Sequence, residues 1–322
     1  MTTVMTKMER LAKLSVSDLI DERDLAPADL ELILGLSERV KASPSAFARS
    51  LAGRQLALIF EKPSLRTRVA FEVGMTSLGG FAIHLDHQKP RLGERESIKD
   101  IARNLERWVD GIAARTFAHA SVLELAEHAS IPVINALTEL NHPCQALSDF
   151  FTLREKIGSL EGLRLAYVGD GNNICHSLLV IGAKLGVSIS VATPAGFEPK
   201  TKIVEEAKAL ARDNGSTVQI LRDPLEAVAG AHAVYTDVWT SMGQEYASHL
   251  RTQVFAPYQV TEGLMAAADP SAVFMHCLPA RRGQEVAASV IDSPRSIVYD
   301  QAENRLHVQK ALLILLLQNG RA

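Results

Sequence analysis

Cysteine is scarce in this chain: three in 322 residues, Cys144, Cys175 and Cys277, widely spaced and without a Cys-x-x-Cys pair. So small and scattered a set argues against a disulfide scaffold and against a cysteine-built structural zinc site, and it suits a reducing compartment such as the cytoplasm. An excess of charge is also lacking, since 34 basic and 37 acidic residues leave a net charge of −3. No global basic field draws nucleic acid or an anionic membrane, so any affinity for an anion has to be local. The opening MTTVMTKMERLAKLSV holds no continuous apolar core of the kind a signal peptide needs. The longest late apolar run, ALLILLL at 311–317, is too short to span a bilayer and reads as part of a buried helix. No solenoid-length repeat and no low-complexity tract is present.

What does recur is a short apolar run, a turn and a helical pattern. Strands are expected at 55–60, 81–85, 111–115 and 132–135 in the first half, and at 163–168, 188–193, 217–221, 233–236 and 273–276 in the second. Helices are expected at 66–78, 97–108, 121–128, 174–185 and 201–213. The strand runs are nearly continuous in apolar residues rather than alternating, the pattern of parallel strands covered on both faces. The fold class that follows is α/β: two doubly wound parallel-sheet domains with the active site in the cleft between them. The boundary is expected within CQALSDFFTLREKIGSLEG, dividing the chain into 1–148 and 149–302, with a C-terminal helix over about 303–322 packing back on the first domain. Ligands of such sheets bind beyond the carboxyl ends of the strands, and five polar motifs lie there: Arg115 after GIAA, His142 after PVINALTEL, GDGNN after LAYV, DVWTSMGQE after AVYT, and HCLPARRG after AVFM.

The segment EKPSLRTR, 61–68, puts two arginines and two hydroxyls where a strand meets a helix start. A helix N-terminus offers unpaired N–H groups and positive potential, and guanidinium forks match phosphate oxygens. A serine N-cap alone accounts for Ser64 but not for Arg66 and Arg68, so the cluster reads as a phosphate site; it is not a nucleotide P-loop, whose glycines and GK[ST] ending are missing. In NHPCQ, His142 and Gln145 sit one turn apart at a helix start and can both touch one small carbonyl-bearing ligand, although a loop histidine before proline is by itself ordinary punctuation. GDGNN lacks the G-x-G-x-x-G spacing of a dinucleotide loop, and its adjacent amides suit a carboxylate as well. DVWTSMGQE sets the Asp237 carboxylate four residues before Ser241 and reads either as a surface loop or as a mobile lid that holds an ammonium. Cys277 in HCLP is a nucleophile, a metal ligand, a proton acceptor or a buried inert thiol, while burial suffices for Cys144 and Cys175.

Taken together, SLRTR, HPCQ, DVWTSMGQE, HCLP and NRLHVQKA, in this order and spacing, resemble the ornithine carbamoyltransferases over nearly the whole chain. SMGQE with HCLP separates the pattern from the aspartate carbamoyltransferases. The resemblance implies transfer of the carbamoyl group of carbamoyl phosphate to the δ-amine of ornithine in arginine metabolism, with no metal or redox cofactor and small-molecule substrates, in a homotrimer or an assembly of trimers. It implies that Ser64, Leu65 through its backbone, Arg66 and Thr67 hold the phosphate. Arg115, His142 and Gln145 would meet the carbamoyl group, Cys277 and Leu278 would border the reacting centre, and Arg305 would close it. Ornithine would lie against Asn173, Asp237, Ser241 and Met242, and Arg115, His142, Cys277 and Asp237 would carry the chemistry. Two departures stand out: Leu65 replaces the family's usual threonine, and Arg91 aligns with a glutamine in a loop that in the family reaches a neighbouring subunit's phosphate site. Rival readings are carbamoyl transfer to another amine, a dinucleotide-dependent oxidoreductase, and a binding protein without turnover.

Overall fold

The computed structural model describes residues 13–240 and 248–318. Every expected strand is present, displaced by at most two residues at an end. β1 (Gln55–Phe60), β2 (Phe81–Asp86), β3 (Gly111–Arg115) and β4 (Val133–Leu137) form a parallel sheet in the order β2-β1-β3-β4. β5 (Arg164–Val168), β6 (Ser188–Ala192), β7 (Val218–Leu221), β8 (Ala233–Thr236) and β9 (Val273–His276) form a second, ordered β7-β6-β5-β8-β9. Helices α1 (Pro27–Ala42), α2 (Leu65–Ser77), α3 (Ile98–Leu105) and α4 (His119–His128) belong to the first sheet, and α5 (Pro143–Ile157) leads to the second. There α6 (Asn173–Lys184), α7 (Thr201–Asp213), α8 (Pro224–Val228), α9 (Ser248–Phe255), α10 (Glu262–Ala267) and α11 (Ala288–Ile291) follow, before α12 (Val298–Leu317).

Strand alternation sorts the side chains into layers. On β1, Leu56, Leu58 and Phe60 face a central core shared with Leu165 and Tyr167 of β5, whereas Ala57 and Ile59 face an outer core under α3 and α4. Ala166 and Val168 turn the other way, into a third core beneath α8, α10 and α11. The central cluster is continuous from one sheet to the other. Its anchor is α12, in which Ala311–Leu317 is buried on every side, as expected of a helix apolar all round; each large side chain so buried contributes about 2 kcal/mol. This helix packs on α1, α2 and α5 and begins at Val298, a turn earlier than expected.

Three other differences have physical reasons. β2 is exposed rather than doubly buried, with Phe81 63% accessible, because it is the edge of its sheet. α5 runs unbroken past residue 148, so the passage between sheets occupies a whole helix. α1 was not expected, although Leu30, Ile33, Leu34, Ser37 and Val40 form its buried stripe.

Each sheet has one topological switch point, where the strand order reverses: between β1 and β3 in the first, between β5 and β8 in the second. The segments leaving those four strands carry Arg66, Arg115, the Asn172-Asn173 turn and Asp237. The two switch points open onto one cleft.

Candidate functional site

The first wall of the cleft grows out of β1 and β3. Ser64, in extended conformation, caps α2 and accepts from the Thr67 N–H at 3.2 Å. The cap starts the helix immediately after Pro63, so the free amides of its first turn face the cleft mouth. The Leu65 side chain is 75% exposed, which leaves this position its backbone to contribute; the hydroxyl that threonine would bring is not needed for the helix start. Arg66 lines the cleft. Thr67 is buried and accepts at 2.7 Å from Arg305 Nη2, which reaches across from α12. At the end of β3 the register with β4 shifts between Ala114 and Arg115, an irregularity of the kind that re-aims a side chain beside a site. Arg115 is buried there, and its Nε has no partner among the described residues.

His142 caps α5, its backbone N–H donating to Ser177 Oγ at 2.8 Å, while ring Nδ1 is buried without a partner among the described residues. Burial, aided by Arg305 and Arg115, pushes its pKa well below the usual histidine value, so the ring is neutral. Gln145, one turn on, gives its Nε2 to Asp149.

Arg66, Arg115, Arg305 and Lys62 all line this cleft, and among the described residues none has a carboxylate within 4 Å. Burial pulls the pKa of each downward, and for Arg115 the neighbouring Arg305 and Arg66 add to it. Lys62 comes down to about 8. Removing a charge from water without a partner costs several kcal/mol. Four such groups side by side make a site for an anion of more than one charge.

The second wall is finished differently. Asp237 at the end of β8 accepts from Asn172 Nδ2 at 2.7 Å, from the Val238 N–H at 2.8 Å and from Cys277 Sγ at 3.0 Å. Burial and then Asp237 raise the Cys277 pKa well above a free thiol's. In this structure Cys277 is therefore a thiol that donates to Asp237. Leu278, at φ +57, turns the chain sharply after it. Asn172 caps α6 through its side-chain oxygen, and Gly171 ahead of it is required by packing, since a Cβ there would lie 2.2 Å from Pro199 N. Arg251 of α9 pairs with Asp170 and donates to the Trp239 carbonyl, its guanidinium 4.7 Å from the Phe197 ring centroid.

A cavity of about 460 Å³ separates the walls, lined by Lys62, Ser64, Leu65, Arg66, Arg115, His142, Gln145, Asn173, Asp237, Cys277, Leu278 and Arg305. Of the expected site residues, Thr67 stands just behind it, Ser241 and Met242 lie outside the described residues, and Arg91 is elsewhere: its guanidinium stacks 4.2 Å from the Phe117 ring centroid, beside a separate hollow. The sequence alone assigns no role to Lys62, Thr240 or Arg281, which also line the cavity, nor to Asn172, which bonds Asp237, whereas the amide of its neighbour Asn173 donates to the Thr138 carbonyl at 2.6 Å. Ligand atoms of Asp237, His276 and Cys277 lie within 4.8 Å of one another. Both ring nitrogens of His276 are engaged, however: Nδ1 accepts from the Leu278 N–H, leaving Nε2 to donate to Glu285.

Comparison with known proteins agrees with this geometry. Residues 17–155 match the family model described as aspartate/ornithine carbamoyltransferase, carbamoyl-P binding domain, and residues 161–316 match its Asp/Orn binding domain. A protein of Anoxybacillus flavithermus named ornithine carbamoyltransferase is 50% identical over 312 residues, covering 96% of this chain and 99% of its own. One of Pyrococcus furiosus, named ornithine carbamoyltransferase, anabolic, is 52% identical over 269 residues, 84% of this chain and 85% of its own. A solved structure of ornithine carbamoyltransferase from Pyrococcus furiosus superposes with a TM-score of 0.92 at 47% identity, covering 95% of this chain and 98% of that one.

Proposed function

The chain belongs to the aspartate/ornithine carbamoyltransferase family, and from that premise we infer that its cleft carries the carbamoyl group of carbamoyl phosphate to the δ-amine of ornithine, giving citrulline and phosphate. The observation that carries this reading is the opposition of two walls: the unpaired cations Arg66, Arg115, Arg305 and Lys62 with the start of α2 on one side, and the Asp237 carboxylate with the Cys277 thiol on the other. A dianionic phosphate suits the first wall and an amine the second.

The chemistry follows from these groups. An ornithine δ-amine titrates near a lysine amine, so only ~1 in 10³ is neutral at pH 7. Asp237 draws the ammonium in, and closure of the cleft around it favours the neutral form that attacks. Attack on the carbamoyl carbon makes an oxyanion, which the Arg115 guanidinium and the neutral His142 ring stabilise; loss of one such donor raises the barrier by ~3 kcal/mol. As the C–O bond to phosphate breaks, the attacking nitrogen gives up a proton that ends on the departing phosphate, and that phosphate stays with Ser64, Arg66, Thr67 and the Leu65 amide. Asn173 and the 237–242 segment receive the amino-acid end of ornithine, with Leu278 bordering the carbamoyl group. Much of the acceleration comes from holding both substrates in line.

Ornithine is favoured over aspartate as acceptor, because a second carboxylate would be repelled by Asp237. Citrulline formation from carbamoyl phosphate with a panel of amines tests this; turnover of aspartate but not of ornithine refutes it. The anabolic relative supports a place in arginine biosynthesis, and three free thiols support a cytoplasmic setting. A homotrimer or an assembly of trimers is supported by the exposed apolar row Leu65, Val69 and Val73 on α2, with Phe81 and Ile83 on the neighbouring edge strand. In such an assembly Arg91 serves an adjacent copy's phosphate site. Mass measured in solution decides the assembly.

A further inference from the structure

Behind Gln145 lies a buried carboxylate that the mechanism above does not use. Asp149, one turn further along α5, is inaccessible to solvent. Oδ1 accepts from Gln145 Nε2 at 2.8 Å and from Gln301 Nε2 at 2.7 Å, and Oδ2 accepts from Tyr235 OH at 3.0 Å. A charge buried this completely is tolerated only when its oxygens are bonded. Here the three donors come from α5, α12 and β8, and therefore from both halves of the molecule.

The direction of these bonds is fixed by chemistry. The His276 backbone N–H can only donate, and it donates at 3.0 Å to Gln301 Oε1. That orients the Gln301 amide and turns its NH₂ toward Asp149. A carboxylate accepts only, so the Gln145 NH₂ must also face Asp149. The Gln145 oxygen is then the end left over. It is buried, has no partner among the described residues, and belongs to a side chain that lines the cleft.

We propose that Asp149 is a positioning residue: it fixes the polarity of the Gln145 amide so that the cleft meets the carbamoyl group with an acceptor, selecting the NH₂ of a carbamoyl over the methyl of an acyl phosphate. The inference rests on the carbamoyl-transfer reading. Burial, offset only in part by the bonds from Gln145, Gln301 and Tyr235, leaves the Asp149 pKa raised to about 7. The acceptor-only form is thus the dominant one above pH 8, and the assays belong there.

The test compares carbamoyl phosphate, as substrate, with acetyl phosphate, as competitor. In the unaltered enzyme carbamoyl phosphate is preferred. Asp149→Leu removes the acceptor altogether, so the Gln145 amide is free to turn over, and the preference falls by about 3- to 10-fold, the worth of one hydrogen bond, while inhibition by inorganic phosphate is unchanged. In a Gln145→Leu background Asp149→Leu has no further effect on the preference, because its action runs through that amide. A preference kept in Asp149→Leu, or lost equally in the Gln145→Leu background, overturns the proposal. If Asp149→Leu does not fold, Asp149→Ala is the second variant: it likewise removes the acceptor and lowers the preference in the same direction, and an unaltered preference there is equally fatal. Failure of the carbamoyl-transfer reading is distinct, since it appears as absence of citrulline in the unaltered enzyme.

Discussion

On the first wall of the cleft Arg66, Arg115, Arg305 and Lys62 have no carboxylate within ion-pairing distance among the described residues, whereas on the second Asp237 is bonded by Asn172 and Cys277 and Asp170 is paired with Arg251. The difference separates two ways of preparing a site. Unpaired charges held by a sheet and two helices gain their partners only when the ligand arrives, so the anion's binding relieves an existing electrostatic cost. Groups already bonded to each other must exchange those bonds for the ligand's, and the gain is smaller. The protein should therefore hold its phosphate substrate more firmly than its amine.

The most damaging way to break the contrast is to remove a first-wall cation. Arg66→Ala or Arg115→Ala is expected to lower kcat/KM by ~10²–10³ and to abolish measurable phosphate binding in calorimetry; normal binding by Arg66→Ala would end the phosphate assignment. Asp237→Asn acts on the other wall. Its KM for ornithine is expected to rise by ~10-fold, the scale of a hydrogen bond to a charged group, with affinity for carbamoyl phosphate changed less than about twofold, so equal losses for both substrates would erase the distinction between the walls. Cys277→Ala removes only a neutral donor, and a rise of ~3-fold in KM for ornithine is expected, with Cys277→Ser restoring most of it in the same kinetics.

The gentlest perturbation is pH. Lys62 is cationic below its lowered pKa of about 8 and loses that charge above it. Phosphate affinity should accordingly be full at pH 7 and decline as pH rises through 8, and the decline should vanish in Lys62→Arg, whose charge persists. A flat profile in the unaltered protein would mean that Lys62 does not face the anion.

The same contrast governs what could be read in advance. The first wall was legible because Ser64, Leu65, Arg66 and Thr67 are contiguous, and a serine cap followed by a guanidinium at a strand–helix junction has few other uses; the second arginine of the motif, Arg68, pairs instead with Glu72 one turn along α2. The strands were legible because central parallel strands are mostly apolar, and the two most exposed, β2 and β7, are sheet edges. The second wall is assembled from single residues on separate turns. Nothing in the sequence ranks Asn172 above Asn173; only the geometry shows that the first bonds Asp237 and the second bonds the Thr138 carbonyl. Nor could the protonation of Cys277 be read from HCLP, since it depends on how deeply the thiol is buried and on the carboxylate 3.0 Å away. The direction of the Gln145 amide was out of reach for the same reason, being set by Gln301 and the backbone of β9.

The bond from Arg305 to Thr67 joins positions 238 residues apart. While this chain is being synthesised, its first sheet and capped helix emerge from the ribosome long before α12 is made. Such a nascent species would possess every residue of the contiguous motif and yet lack both the guanidinium that completes the pocket and the helix that anchors its core. Competence to grip the donor substrate is thereby deferred until α12 has been made and has docked.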